Sequence, residues 1–376
     1  MSKNPIRFIR KRWNRFKFYY IDAKGIRSQS DGKRTLFIMI NSLGGGGAQR
    51  VACVLASELV RKYHVVMLIF NKHEHPYPLD EHVKVLRIPW RGMTQKGLLK
   101  CLDVLKKRMR AVATISFMFD CNEKNLQTRS FGKVICTERN NPKKKDPVSF
   151  PETENQYRAA DHVVFQSEAV RNLYDETVKA HSSILPNPVS VTCYASDKKQ
   201  HKVVAVGRLH PQKNQKMLIR AFAAFAEDHP GYSLDIYGDG EMEGELRQLS
   251  ADLGIGNKVV FHGTVTDVCS EIADAEMFVL SSDYEGLSNA LLEAMMMGIP
   301  CISTACEGSV DVIRSGENGI LTPVGDETAL TGAMRELADN KPLRESIAKA
   351  GSEIHKTFDK AIVAEQWVEV IEKVTQ

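Results

Sequence analysis

Asp283-Tyr284-Glu285-Gly286-Leu287-Ser288-Asn289-Ala290-Leu291-Leu292-Glu293-Ala294 decides how this chain is read. The apolar run Met277 to Leu280 before it reads as a buried strand, and Ala290 to Met297 after its turn reads as a helix. Gly286, Ser288 and Asn289 form the turn that opens that helix. A helix start presents unpaired backbone N–H groups and the positive end of the helix dipole, which suits a phosphate. Glu285 stands just before the turn, where it can meet sugar hydroxyls. Glu293, inside the helix, suits a ribose diol, as acidic residues do in dinucleotide sites. An isolated pair of glutamates at this spacing is common and usually solvated. Context distinguishes this one: a strand before it, Gly-Leu-Ser-Asn inside it, and Glu-Ala-Met-Met-Met-Gly-Ile-Pro closing it.

Outward from this stretch the chain alternates strand and helix. In the second half, strands are expected at Lys202–Val206, Ser233–Tyr237, Lys258–Phe261 and Pro300–Ser303, with helices near 213–227, 241–253, 267–273, 328–338, 342–350 and 360–373. In the first half, strands are expected at Leu36–Ile40, His64–Phe70, Val112–Phe117, Lys133–Thr137 and Asp161–Gln166, with helices near 96–110, 152–159 and 168–177. Such alternation builds parallel sheets. A chain of 376 residues is also too long for one ordinary core. The expectation is α/β: two Rossmann-like, doubly wound domains facing across a cleft. The division runs 1–34 for a basic segment and linker, 35–189 for the first domain and 190–201 for a hinge. Residues 202–358 form the second domain, and 359–376 a terminal helix that could return to the first.

Several strand ends carry chemistry. Val206-Gly207-Arg208-Leu209-His210-Pro211-Gln212-Lys213-Asn214 puts Arg208 and Lys213 at a C-terminal strand edge, where ligands bind in open α/β sheets. A planar guanidinium and a compact ammonium there can stabilise a departing diphosphate without metal. Tyr237-Gly238-Asp239-Gly240 ends the next strand, and Gly238 and Gly240 permit a tight backbone close to a nucleoside. In the first half, Gly44-Gly45-Gly46-Gly47-Ala48-Gln49-Arg50 follows a strand, so its backbone amides can approach a ligand. The run does not keep G-x-G-x-x-G, and no acidic residue ends the following strand, which disfavours NAD. Glu138-Arg139-Asn140 closes another strand and precedes Lys143, Lys144 and Lys145. These lysines are either a solvated loop or a contact for a phosphorylated lipid or membrane. Ser116, also at a strand end, is an acceptor-side neighbour.

Composition narrows the class. With 43% hydrophobic and 26% charged residues the chain is globular, and no run of about 18 apolar residues marks a transmembrane helix. The eight cysteines form no CxxC pair, so reduced structural thiols are expected and a metal site is not. The net charge of +5 is local. Residues 3–20 carry seven basic groups and no acidic one, while the remainder holds 44 basic against 46 acidic side chains. On a helix, Ile6, Ile9, Trp13, Phe16 and Tyr20 form one stripe flanked by arginines, which fits an anionic membrane interface. A disordered basic tail, a helix docked on the protein's own core and an organelle-targeting peptide are the alternatives.

Together these motifs resemble the retaining GT-B glycosyltransferases of family 4 (glycosyl transferases group 1), of the bacterial capsule, exopolysaccharide, lipopolysaccharide and O-antigen type. The resemblance spans roughly residues 35–360 and is strongest over 203–326. It rests on the glutamate pair, on Gly-Arg-Leu…Gln-Lys-Asn at 207–214 and on Gly-Gly-Ala-Gln-Arg at 46–50. It implies metal-independent transfer from a nucleoside-diphosphate sugar, a UDP-sugar being favoured, with no cofactor. Glu285 would then position the donor sugar, Glu293 the ribose, and Arg208 with Lys213 the diphosphate. Gly286, Leu287, Ser288 and Asn289 would supply backbone donors, and Gly263, Thr264 and Val265 the wall for the base. Gly46 and Gly47 would face the donor phosphate across the cleft. Relatives place a histidine against the transferred sugar that this chain lacks, leaving Glu138, Arg139 and Asn140 as acceptor-side candidates. A basic N-terminus then implies an enzyme in the cytoplasm, peripheral at the inner membrane face, using a polyprenyl-diphosphate-linked glycan. No nucleic-acid partner is expected. The rivals are a non-catalytic nucleotide-sugar-binding partner of another transferase and another GT-B enzyme such as an epimerase.

Overall fold

The computed structural model describes residues 32–73, 76–88, 92–142 and 148–376. The basic stripe over residues 3–20 and Lys143 to Lys145 lie outside the described residues.

The first half forms a seven-stranded sheet: β1 Arg34–Ile40, β2 Tyr63–Ile69, β3 Lys84–Arg87, β4 Ala111–Phe117, β5 Lys133–Glu138, β6 His162–Phe165 and β7 Ser182–Ile184. Its order is β3-β2-β1-β4-β5-β6-β7. The second half forms a six-stranded sheet from β8 Gln200–Val206, β9 Ser233–Tyr237, β10 Val259–Gly263, β11 Ala275–Leu280, β12 Cys301–Thr304 and β13 Ile320–Thr322. Its order is β10-β9-β8-β11-β12-β13. Pairing is parallel throughout; in the first sheet Ile38 lies opposite Met67 on one side and Ile115 on the other. Strands covered by helices on both faces read as continuous apolar runs, and Leu36–Ile40 and Ala275–Leu280 are buried residue by residue.

The order of strands reverses once in each sheet, between β1 and β4 and between β8 and β11. Loops leaving adjacent strands at such a switch point diverge to opposite faces and open a crevice at the carboxyl ends. The glycine run follows β1, Arg208 and Lys213 follow β8, and Glu285 follows β11. Topology alone therefore gathers these segments at the two crevices.

The halves are tied together by more than one chain crossing. The final helix, Lys360–Thr375, lies on the first half, with Val363, Trp367 and Ile371 inside the core that holds Leu55, Ala113 and Phe117. Lys360 also pairs with Glu58 at 3.3 Å, and Glu372 with Arg34 at 2.7 Å. Just before this helix, Val189 N donates to Phe358 O at 2.8 Å and Lys360 N to Val189 O at 3.0 Å. The linker and the final crossing thus run side by side.

Some segments differ from the sequence expectation. The helix expected over 168–177 is two short ones, Glu168–Arg171 and Glu176–Ala180, because Asp175 accepts from Val178 N and starts a new helix. Residues 119–127, to which the sequence pattern assigns no element, are a helix whose Asn122 and Asn125 are buried.

Candidate active site

The loop after β8 and the loop after β11 are sewn to each other. Asp283 N donates to Gln212 O at 2.9 Å, and Gln212 Nε2 to Tyr284 O at 2.8 Å. Ser281 Oγ donates to Lys213 O at 2.8 Å, and Asn214 Nδ2 to Asp283 Oδ1 at 2.7 Å. Asn214 sits in the left-handed region and caps the following helix, its side chain accepting from Met217 N. This short-range architecture has one product: Lys213 Nζ pairs directly with Glu285 Oε1. Ser282 Oγ donates to the same oxygen at 3.0 Å. Glu285 is 8% exposed, so the carboxylate is held by two donors in a largely dry place.

Lys213 is therefore committed to Glu285, which modifies the expectation that it serves the diphosphate alone. The Arg208 side chain is exposed on the same loop, while its carbonyl accepts from Gln215 Nε2 at 2.9 Å. Glycines 238 and 240 owe their place to backbone packing. A Cβ on Gly238 (φ +126°) would come within 2.1 Å of Gly207 O, and one on Gly240 within 2.4 Å of Leu209 O. These residues let the β8 and β9 loops touch. Gly263 joins them, its carbonyl accepting from Gly238 N at 2.7 Å, and Thr264 Oγ1 donates to Asp239 Oδ2 at 2.8 Å. Val265 is half-buried beside them. His262, near the end of β10, stacks on Tyr237 (4.3 Å between centroids) and meets Asp235 at 2.8 Å, both of them in β9.

Ser288 caps the helix Asn289–Met297, its Oγ accepting from Leu291 N at 3.4 Å, so one amide of that helix start is already occupied. Leu287 is buried with Leu280 and Leu291 in the second half, and its carbonyl accepts from Asn187 Nδ2 at 3.1 Å. Asn289 turns to the other half: Oδ1 accepts from Asn187 at 2.7 Å, and Nδ2 donates to Gly47 O at 3.2 Å. Gly47 faces this amide so closely that a Cβ there would lie 3.3 Å from it. Gly46 precedes it in extended backbone and accepts from Arg50 N at 3.1 Å. Glu293, 3% exposed, pairs with Arg50 at 2.9 Å across the boundary between the halves. Burial pushes its carboxyl up to about 7, with Arg50 pulling it down.

The acceptor-side candidates are distributed less openly than the sequence suggests. Glu138 accepts from Tyr157 and Tyr174, each at 3.1 Å, and from the amides of Arg139 and Asn140. Burial raises its pKa against those four donors, and its carboxylate is fully engaged inside the first half. Ser116 is completely buried, its hydroxyl accepting from Asn125 at 3.0 Å. In this structure both groups are engaged by hydrogen bonds within the first half. Arg139 lies between the rings of Phe117 (5.2 Å) and Trp367 (5.9 Å), and Nη1 donates to Asn187 Oδ1 at 3.0 Å. Burial lowers it to about 10, and Nε and Nη2 are buried without a partner. Asn140 Oδ1 accepts from Asn141 N, and Asn141 Nδ2 reaches Glu307 in the second half at 3.1 Å.

Sequence reading passed over Asn187 and assigned nothing to Arg50, the two residues that most directly connect the halves. Asn187 lies between two prolines, Pro186 and Pro188, and Arg50 ends the glycine run. Those local cues mark a special position without revealing the distant partner.

Comparison with known proteins agrees with this fold. Residues 193–354 match the model of the glycosyl transferases group 1. A lipopolysaccharide core biosynthesis glycosyltransferase of Rhizobium meliloti, LpsE, is 35% identical over 151 residues, which is 40% of this chain and 43% of that protein. The Campylobacter jejuni enzyme named GalNAc-alpha-(1->4)-GalNAc-alpha-(1->3)-diNAcBac-PP-undecaprenol alpha-1,4-N-acetyl-D-galactosaminyltransferase is 27% identical, covering 89% of this chain and 98% of its own length. The crystal structure of Anabaena HepE in complex with UDP and glucose superposes with a TM-score of 0.78 at 17% identity, over 90% of this chain and 99% of HepE. Residues 193–354 thus match the glycosyl transferases group 1, and the chain as a whole shares the GT-B fold.

Proposed function

We propose that this protein transfers a sugar, with retention of anomeric configuration, from a nucleoside-diphosphate sugar to a hydroxyl of a polyprenyl-diphosphate-linked or growing surface glycan. The observation that carries this reading is the Lys213–Glu285 pair, fixed by the interlocked loops at the switch point of the second sheet. Glu285 orients the donor sugar, and Glu293 takes the ribose. Arg208 and Lys213 neutralise the diphosphate as it departs, so no metal is required for that step. The bond from the anomeric carbon to the diphosphate oxygen breaks, and a bond to the acceptor oxygen forms on the same face. The acceptor proton passes to the leaving diphosphate. Apposition of the two halves excludes the water that would hydrolyse the donor.

A UDP-sugar is the favoured donor, supported by the UDP complex of the structurally similar HepE. A lipid-linked acceptor is supported by the undecaprenyl-linked substrate in the name of the Campylobacter relative. The basic stripe at residues 3–20 would bring the enzyme to the inner face of the cytoplasmic membrane.

The test is incubation of the full chain with a panel of UDP-sugars and a crude polyprenyl-diphosphate glycan, with and without EDTA. Mass spectrometry reports transfer and NMR of the new anomeric proton reports its configuration. Product that persists in EDTA with the donor's configuration supports the reading. An inverted product sinks retention, loss of product in EDTA sinks metal independence, and donor binding without product sinks catalysis. Liposome binding that is equal with and without residues 1–30 sinks the membrane contact.

A further inference from the structure

Arg50 belongs to the helix Gly47–Leu59 of the first half, while Glu293 belongs to the helix Asn289–Met297 of the second. Their ion pair is 2.9 Å long and joins residues more than two hundred positions apart. The Glu293 side chain is almost wholly buried, whereas the Arg50 side chain keeps 29% of its surface exposed. The guanidinium thus approaches a sunken carboxylate from the interdomain side. One turn earlier on both helices the halves touch again, through Asn289 Nδ2 and Gly47 O.

We propose that Arg50 is a positioning residue acting across the cleft: its ion pair orients the Glu293 carboxylate for the ribose of the donor, and does so only while the two halves are apposed. This rests on Glu293 being the ribose acceptor of the proposed donor site. A ribose diol donates two hydrogen bonds and is held best by an anion with a fixed orientation. An isolated buried carboxyl would instead stay protonated and present a weaker acceptor.

The electrostatic surroundings leave that task to Arg50. Burial raises Glu293 to about 7, and Arg50 opposes the rise. The other titratable groups that sense the pair are Tyr77 and Cys269, each raised by its own burial and hence uncharged near neutrality. The sign follows directly. In the wild type the carboxylate is present above pH about 7 and is lost as pH falls through that value. Removing the guanidinium raises the carboxyl further, so the anion appears only at higher pH.

The readout is the ratio of affinities for UDP and 2′-deoxy-UDP, measured by titration calorimetry from pH 6 to 9 on the full chain. Diphosphate titration affects both ligands alike and cancels in the ratio. A guanosine diphosphate pair is run beside it, so that the base does not decide the outcome. The wild type should favour the ribonucleotide by about tenfold above pH 7 and lose the preference below it. In Arg50→Ala, and in Arg50→Gln in case the shorter side chain unfolds the protein, the same loss should occur roughly one pH unit higher. Arg50→Lys should restore the wild-type profile. A structural role alone would lower the melting temperature without moving this profile. Profiles that overlay in wild type and Arg50→Gln overturn the role of Arg50 and leave the donor site standing. Absence of a ribose preference in the wild type, with nucleotide still bound, removes Glu293 from the donor site and overturns both.

Discussion

The side-chain amide of Asn187 donates to Oδ1 of Asn289 at 2.7 Å, linking the end of the first half to the helix that opens the proposed donor site. The same amide donates to Leu287 O at 3.1 Å, and its own oxygen accepts from Arg139 at 3.0 Å. Both amide hydrogens and the oxygen of one buried side chain are used, so the distance between the halves is set here by hydrogen-bond geometry. Asn187→Ala should therefore leave the Leu287 carbonyl and an already underbonded Arg139 without their partner, at about 1–3 kcal/mol. Asn187→Asp should be at least as harmful, because a carboxylate cannot donate to Leu287 O or Asn289 Oδ1. We expect a lower melting temperature in both, and a fall in kcat/KM for the donor of about tenfold or more, as even 1.4 kcal/mol at the transition state implies. Wild-type kinetics in either variant would show that the halves are positioned by other contacts.

Glu285→Gln preserves size but removes the charge paired with Lys213. If the pair orients the sugar and shares in stabilising the departing diphosphate, the loss falls on the chemical step. We expect transfer to drop by on the order of a hundredfold or more, as for loss of a preorganised polar partner, with UDP affinity changed by only a few fold. Initial rates and calorimetry on the same preparation separate the two. A variant that loses nucleotide binding and turnover in equal measure would place Glu285 in ground-state binding instead.

Gly286 and Gly308 predict opposite degrees of tolerance. A Cβ on Gly308 would stand 2.0 Å from Gly286 O, so Gly308→Ala must push the backbone of the donor loop itself. A Cβ on Gly286 would chiefly strike Gln166 Nε2, at 1.5 Å, with Arg139 O farther off at 3.0 Å. Gln166 Nε2 has no hydrogen-bond partner, so its side chain can be removed at little polar cost. Gly308→Ala should lose more activity than Gly286→Ala, and adding Gln166→Ala should recover part of the loss in the latter only. Equal recovery in both double variants would refute the assignment of the clash.

Much of this architecture was legible because its signals are local. Apolar runs ending in Gly207, Gly238 and Gly263 announce strands followed by tight loops, and Glu285 and Glu293 straddle a turn whose Ser288 does cap the helix. What escaped is of two kinds. The helix Phe119–Gln127 is polar by composition, yet Asn122 and Asn125 are buried because their amides satisfy the carbonyls of Thr137 in β5 and Thr114 in β4. Periodicity treats an asparagine as solvent-facing and misreads such a segment. The strand Lys84–Arg87 has only four residues at a sheet edge and no alternation long enough to register. The second kind is distance: Arg50 with Glu293 and Asn187 with Asn289 are pairs made by the tertiary fold, and neither leaves a trace in local pattern.

Trp367 tests how the final helix contributes. It is fully buried in the core of the first half, although the helix follows the whole second half in sequence. Its ring also forms one wall beside the Arg139 guanidinium. Trp367→Ala would leave a large cavity and open one face of Arg139, at about 3–5 kcal/mol, a large fraction of the stability of a typical domain. Trp367→Phe poses a sharper question. The indole Nε1 is buried without a hydrogen-bond partner, so phenylalanine sacrifices volume but no hydrogen bond. It also keeps an aromatic face beside Arg139. We expect Trp367→Phe to cost less than half as much as Trp367→Ala in chemical denaturation, and to retain transferase activity. If instead Trp367→Phe is as unstable as Trp367→Ala, the indole ring is held by interactions other than packing and the cation.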